Sequence, residues 1–127
     1  LPACWRAEKI QKKAAKTGFA WESASESLDK LEEELTELRQ AVSDGTNVEE
    51  ELGDVLFAAV NAAACLEVDP EAALHKACEK FIRRFGAMEQ AALSRGAQLE
   101  TLTRPELLQL WDKERHTMNT IRKEEQL

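Results

Sequence analysis

Cysteine is scarce and poorly placed for cross-linking. Cys4, Cys65 and Cys78 are odd in number and include no Cys-x-x-Cys pair, so neither a disulfide framework nor a zinc knuckle is indicated. A reducing cytosol is the simplest setting. Aromatics make up only 6% of the chain, too few for a large β-sandwich. Glycine and proline number five and three and fall between stretches of helical periodicity, so the chain reads as helices on short connections. No apolar run is long enough to span a membrane, because Asn61 interrupts the longest, Val55 to Leu66, and no signal-peptide pattern opens the chain. An initial Met is also missing, which suggests a fragment of a longer protein. The net charge of −7 argues against a broad nucleic-acid grip, which depends on neutralising many phosphates. A small phosphate ligand needs only a local basic cluster.

The 127 residues fit one domain with a genuine core. Five helices are expected. The first runs from Ala3 to about Lys16 and stops before Gly18, with Trp5 and Ile10 among its apolar positions. Ser23 with Glu26 has capping-box spacing and opens a second helix, whose Leu28, Leu31, Leu35, Leu38 and Val42 form one stripe ending at Asp44-Gly45. Asn47 with Glu50 repeats that spacing before a third helix. Its section from Leu52 to Leu66 is apolar nearly all round and is therefore expected at a bundle centre. Asp69-Pro70 starts a fourth helix that runs towards Arg95-Gly96, and Thr103 with Glu106 starts a fifth. The expected fold is all-α, a four-helix bundle with an additional peripheral helix, over one domain of residues 1–127. The charged end, Lys113 to Gln126, is expected either to extend the fifth helix or to fray, with 116–127 set apart as a charged tail.

Chemistry concentrates in Glu33-Glu34-x-x-Glu37 on the second helix and Glu50-Glu51-x-x-Asp54 on the third. Residues three apart on a helix share a neighbourhood, so Glu34 and Glu37 converge, as do Glu51 and Asp54. Packing across the Asp44-Gly45 turn then brings the pairs to similar height. Solvation explains Glu32, Glu33 and Glu49 well. Asp54 is different, because a long apolar run follows it on the helix expected to be central, where an unpaired carboxylate is disfavoured. At about 100° per residue, Glu51, Asp54, Ala58, Asn61 and Cys65 make one stripe, which reads as a pocket wall. Clustered carboxylates suit a hard cation, Mg²⁺ or alternatively Mn²⁺. Zinc lacks its ligands, since His75 and His116 are isolated and read as ordinary packing or surface residues.

On the fourth helix Lys76, Lys80 and Arg84 follow one another at spacings of four, a cationic ladder suited to a polyphosphate, with Arg83 on its flank. Trp21, Phe19 and Trp111 are candidates to stack on a base, and Asn61 to hydrogen-bond to sugar or base, with packing as the competing role for each aromatic.

Taken in order, Ile10-Gln11, Gly18-Phe19-x-Trp21, Lys30-Leu31-x-Glu33-Glu34-x-x-Glu37, Glu50-Glu51-Leu52-Gly53-Asp54 and Lys80-Phe81-x-Arg83-Arg84-Phe85 resemble the MazG pyrophosphohydrolase domain over about residues 2–115. The opening Leu1-Pro2-Ala3-x-x-Arg6-Ala7 is similar to the entrance of the second domain in two-domain members. The resemblance implies a homodimer of helical protomers that binds Mg²⁺ through Glu34, Glu37, Glu51 and Asp54 and cleaves a nucleoside triphosphate to monophosphate and pyrophosphate. Lys80 and Arg84 would then stabilise the departing phosphates, Lys80, Arg83, Arg84, Asn61, Trp21 and Trp111 would hold substrate, and Glu37 is the candidate proton acceptor, a role that ligation does not exclude. Ala20 and Cys78 depart from the family pattern, which often has an acid and an Asn there. Related all-helical enzymes (dUTPase, dCTP hydrolase, phosphoribosyl-ATP pyrophosphatase) have similar acidic cores. A silent helical dimerisation module is the alternative from another class.

Overall fold

A computed structural model of the protein describes the backbone of residues 2–125 and all their side chains except those of 117, 118, 121 and 122. It is all-α, with helices α1 (Ala3–Ala15), α2 (Ala24–Asp44), α3 (Val48–Cys65), α4 (Pro70–Ser94) and α5 (Arg104–Glu125) and a short 3₁₀ turn at Leu99–Thr101. That turn carries no signal in the hydrophobic periodicity. Of the two outcomes open to the charged end, extension is the one observed, with α5 helical as far as Glu125, while Gln126, Leu127 and Leu1 lie outside the described residues.

Most helix starts follow the expected local chemistry. Ser23 Oγ accepts from the Glu26 backbone N–H at 3.1 Å, and the Glu26 carboxylate reaches back to the Glu22 N–H at 3.0 Å. This is a capping box displaced by one residue on its return arm. Asp69 Oδ1 accepts from the Glu71 N–H at 3.0 Å and the Ala72 N–H at 3.4 Å, and Thr103 with Glu106 closes a reciprocal pair. Asn47 is the exception. It precedes α3 with φ +57° and its side chain makes no capping bond. A capping side chain needs extended backbone at that position, whereas the three-residue link between α2 and α3 turns through left-handed Gly45 (φ +72°) and Asn47, two residue types that tolerate it.

The chain forms two compact units, one ending at Leu74 and the other starting at His75. In the first, α3 packs against both α2 and α1. The buried α2 residues are Ser27, Glu34 and Ala41, spaced by seven, and those of α3 are Ala58 and Ala62. Small side chains at these positions permit a close approach of the two axes. The expectation that α3 is buried nearly all round does not hold within one chain: Leu52, Phe57 and Leu66 are exposed, and Leu56 is 60% exposed. Burial follows the alanine seam because α1 and α2 cover only part of the α3 circumference. In the second unit Met88, Ala92 and Leu110 form a core on which Leu99, Leu102, Leu107 and Trp111 pack.

Candidate active site

The α2–α3 seam puts a carboxylate among its buried positions. Glu34 is 8% exposed, and an ionised carboxylate there is costly unless it is paired. Lys30, one turn earlier, places Nζ 2.8 Å from Glu34 Oε1 and 3.9 Å from Glu33 Oε1. That hydrogen bond holds the Glu34 carboxyl below the usual carboxylate range, against the opposing effect of burial. The other oxygen, Oε2, is buried and has no hydrogen-bond partner among the described residues.

Glu37 lies one turn further along and Glu51 faces it from α3. One oxygen from each of Glu34, Glu37 and Glu51 lies within 4.8 Å of the others, the only such cluster among the described residues. A hydrogen bond shared with Glu34, reinforced by the charge of that neighbour, raises the Glu37 carboxyl above its ordinary value. Glu51 Oε2 is again buried without a partner. Two orphaned oxygens inside a group of three acids form an all-oxygen donor set that fits a hard divalent cation. The donors would be Glu34, Glu37 and Glu51.

Asp54 stands apart from this cluster. It is exposed rather than buried, so the argument that burial obliges it to bind a cation fails. Its position is nevertheless informative, because Asp54 lines a cavity of about 400 Å³ together with Glu34, Lys30, Ala58, Asn61 and the loop Gly18–Trp21. Asp54, Ala58 and Asn61 share one wall of it. Phe57, which the sequence pattern marks only as apolar, also lines it. Lys30 is the second residue missed. Its spacing of four from Glu34 was the signal that could have identified it.

On α4 the basic side chains have different environments. Lys76, Lys80 and Arg83 are exposed, whereas Arg84 is half-buried and engaged. Its Nε and Nη2 donate to the Trp111 carbonyl oxygen at 2.9 and 2.6 Å, and its Cζ lies 3.4 Å from the centroid of the Trp111 ring. Phe81 stacks on Phe85 at 5.9 Å and tilts against Trp111 at 5.3 Å. Arg84 therefore fastens α5 to α4 by a fork and a cation–π contact together. Burial lowers its pKa, and Arg115 acts in the same direction.

Residues 22–87 match the MazG nucleotide pyrophosphohydrolase domain. The chain belongs to that family. The matched stretch contains the acid cluster, Asp54, Lys80, Arg83 and Arg84. Among full-length relatives, the nucleoside triphosphate pyrophosphohydrolase/pyrophosphatase MazG of Thermotoga maritima is 43% identical over 113 residues, covering 89% of this chain and 44% of that protein. The nucleoside triphosphate pyrophosphohydrolase of Escherichia coli K12 is 44% identical over 115 residues, covering 87% of this chain and 44% of its own length. The uncharacterized protein YabN of Bacillus subtilis is 40% identical over 71 residues, 14% of its length. The chain thus spans less than half of the curated relatives it matches. Within the MazG domain the α2–α3 acids and the cavity beside them are the part that can hold a cation and a charged ligand.

Proposed function

We propose that this MazG domain hydrolyses a nucleoside triphosphate between the α and β phosphates, releasing the monophosphate and pyrophosphate. The observation that carries the reading is the cluster of Glu34, Glu37 and Glu51 beside a cavity lined by Asp54 and Lys30. The T. maritima and E. coli relatives, both nucleoside triphosphate pyrophosphohydrolases by name, support it. Mg²⁺, with Mn²⁺ as substitute, is the cation proposed for Glu34, Glu37 and Glu51, with Asp54 as a fourth ligand. When bound it supplies charge neutralisation for the acids and Lewis-acid polarisation of the phosphate oxygens.

The side chains do the rest. Glu37 accepts the proton of a water whose oxygen bonds to the α phosphorus as the α–β bridging bond breaks and pyrophosphate leaves. Glu37 is preferred to Glu34 for that role because Lys30 already occupies one oxygen of Glu34 at 2.8 Å. Lys80 and Arg84, with Arg83 flanking them, are proposed on the family resemblance alone to counter the charge growing on the departing phosphates. Trp21, Trp111 and Asn61 are proposed to contact the nucleoside.

A homodimer is the proposed assembly. Leu35 and Val42 on α2, and Leu52 and Leu56 on α3, are exposed in the single chain, and apolar exposure on two packed helices favours a partner helix pair. The cytoplasm is the proposed location. The cysteines are free, and no described helix is long and apolar enough to cross a membrane. A panel of nucleoside triphosphates incubated with Mg²⁺ tests the reaction. Pyrophosphate and monophosphate are the expected products; orthophosphate alone, or no turnover, sinks the reading.

A further inference from the structure

Three buried side-chain oxygens lack any partner among the described residues: Glu34 Oε2, Glu51 Oε2 and Gln11 Oε1. The first two belong to the acid cluster. Gln11 lies on α1, outside it. Its Nε2 donates to the Phe57 carbonyl oxygen of α3 at 2.9 Å, a bond that fixes which end of the amide is which. With one of its two N–H donors committed to Phe57, the amide leaves its buried oxygen as an acceptor without a partner among the described residues. An amide oxygen shut off from solvent and left unpaired is costly, as it is for the two carboxylates.

Gln11 lines a second cavity, of about 450 Å³, whose wall includes Ile10, Phe57, Asn61 and Cys65. This cavity and the one holding Glu34 and Asp54 have Phe19, Ala20, Trp21, Phe57 and Asn61 in common. They lie side by side along one loop and one stretch of α3. The first carries the carboxylates Glu34 and Asp54 with Lys30, while the second is mostly apolar, with Lys12 as its one charged lining residue, the Gln11 amide, and the Asn61 amide that it shares with the first. Such a division suits a ligand with an anionic end and a flat heteroaromatic end. Phe19, on the shared wall, is 82% exposed, so a ring stacking on it displaces no existing packing.

We infer that the second cavity takes the nucleobase and that Gln11 Oε1 accepts a hydrogen bond from an N–H on the edge of the base. The inference rests on the hydrolase reading for the identity of the ligand but on separate residues. A ring entering the cavity meets Oε1 by turning the amide plane about its anchor at Phe57, a motion of one side chain. The required feature is a donor, supplied by the exocyclic amine of adenine or cytosine or the ring N–H of uracil or guanine. Methylating that nitrogen removes it.

The test pairs Gln11→Met, close in shape but without the amide, with base-methylated ligands: N6,N6-dimethyl-ATP against ATP, N4,N4-dimethyl-CTP against CTP, and N3-methyl-UTP against UTP. For the nucleotide used best, we expect methylation to raise KM about tenfold in the wild type, the effect of one hydrogen bond, with kcat changed far less. In Gln11→Met the unmodified nucleotide should show that same rise, and methylation should add nothing further. Equal discrimination by both proteins, or an unchanged KM in the variant, overturns the assignment and leaves Gln11 as a helix-to-helix tie. Titrating the corresponding monophosphates calorimetrically yields the same ratio without turnover, so an inactive wild type would sink the hydrolase reading while the base site is judged by binding.

Discussion

At Glu34 the two carboxylate oxygens have different surroundings: one is held by Lys30 and the other is buried with no hydrogen-bond partner among the described residues. A cation at the second oxygen resolves that imbalance, so the residue tests the ligand assignment. Glu34→Gln should abolish metal-dependent turnover while the helical circular dichroism is kept, and Asp54→Asn should do the same if Asp54 completes the set. Wild-type activity in either variant at limiting Mg²⁺ would remove that residue from the ligands. Lys80→Ala should lower turnover by roughly tenfold to a thousandfold, with KM affected less, since it removes charge stabilisation that matters most as the bond breaks. The loss should be equal for purine and pyrimidine substrates, which share the triphosphate. Reordered base preference with unchanged turnover would move Lys80 to the nucleoside end. Arg84 gives a less clean test, because truncating it also releases Trp111.

Among the elements, helix starts offer the sharpest comparisons. Ser23→Ala removes the acceptor for the Glu26 N–H at the start of the helix that carries Lys30, Glu34 and Glu37, and should cost about 1 kcal/mol in denaturant unfolding. The Thr103–Glu106 pair predicts a pH dependence. Hydrogen bonds from Thr103 lower the Glu106 carboxyl below its ordinary value, so its contribution is present above the unfolded pKa and disappears as pH falls through the lowered folded value. The melting temperature of the wild type should exceed that of Glu106→Gln near neutrality, and the gap should close on acidification. A gap that persists at low pH would assign the effect to packing instead.

For the whole molecule, the unburied apolar surface is the feature to test. Leu35 at 42% and Leu56 at 60% exposure leave the α2–α3 pair with little covering its outer sides. Light scattering at micromolar concentration should give twice the 14.3 kDa chain mass, and Leu56→Arg should reduce it towards one chain. A fully active wild-type monomer would refute the dimer.

Helix number, most caps and the convergence of Glu34, Glu37 and Glu51 were legible in the sequence, because each depends on spacing along one helix or across one short turn. Three things required the folded chain. Left-handed backbone at Asn47 cancelled a cap that its residue type allowed. The burial of α3 depends on how much of its circumference neighbours cover, which periodicity does not encode, and Asp54 consequently emerged into solvent. Gln11 stood in the sequence only as part of the Ile10-Gln11 motif, with no role, until its contact with Phe57, 46 residues away in sequence, placed it at a cavity. Local spacing thus determined which groups gather on each helix, whereas partners distant along the chain decided which of those groups are buried, paired or left open to a ligand.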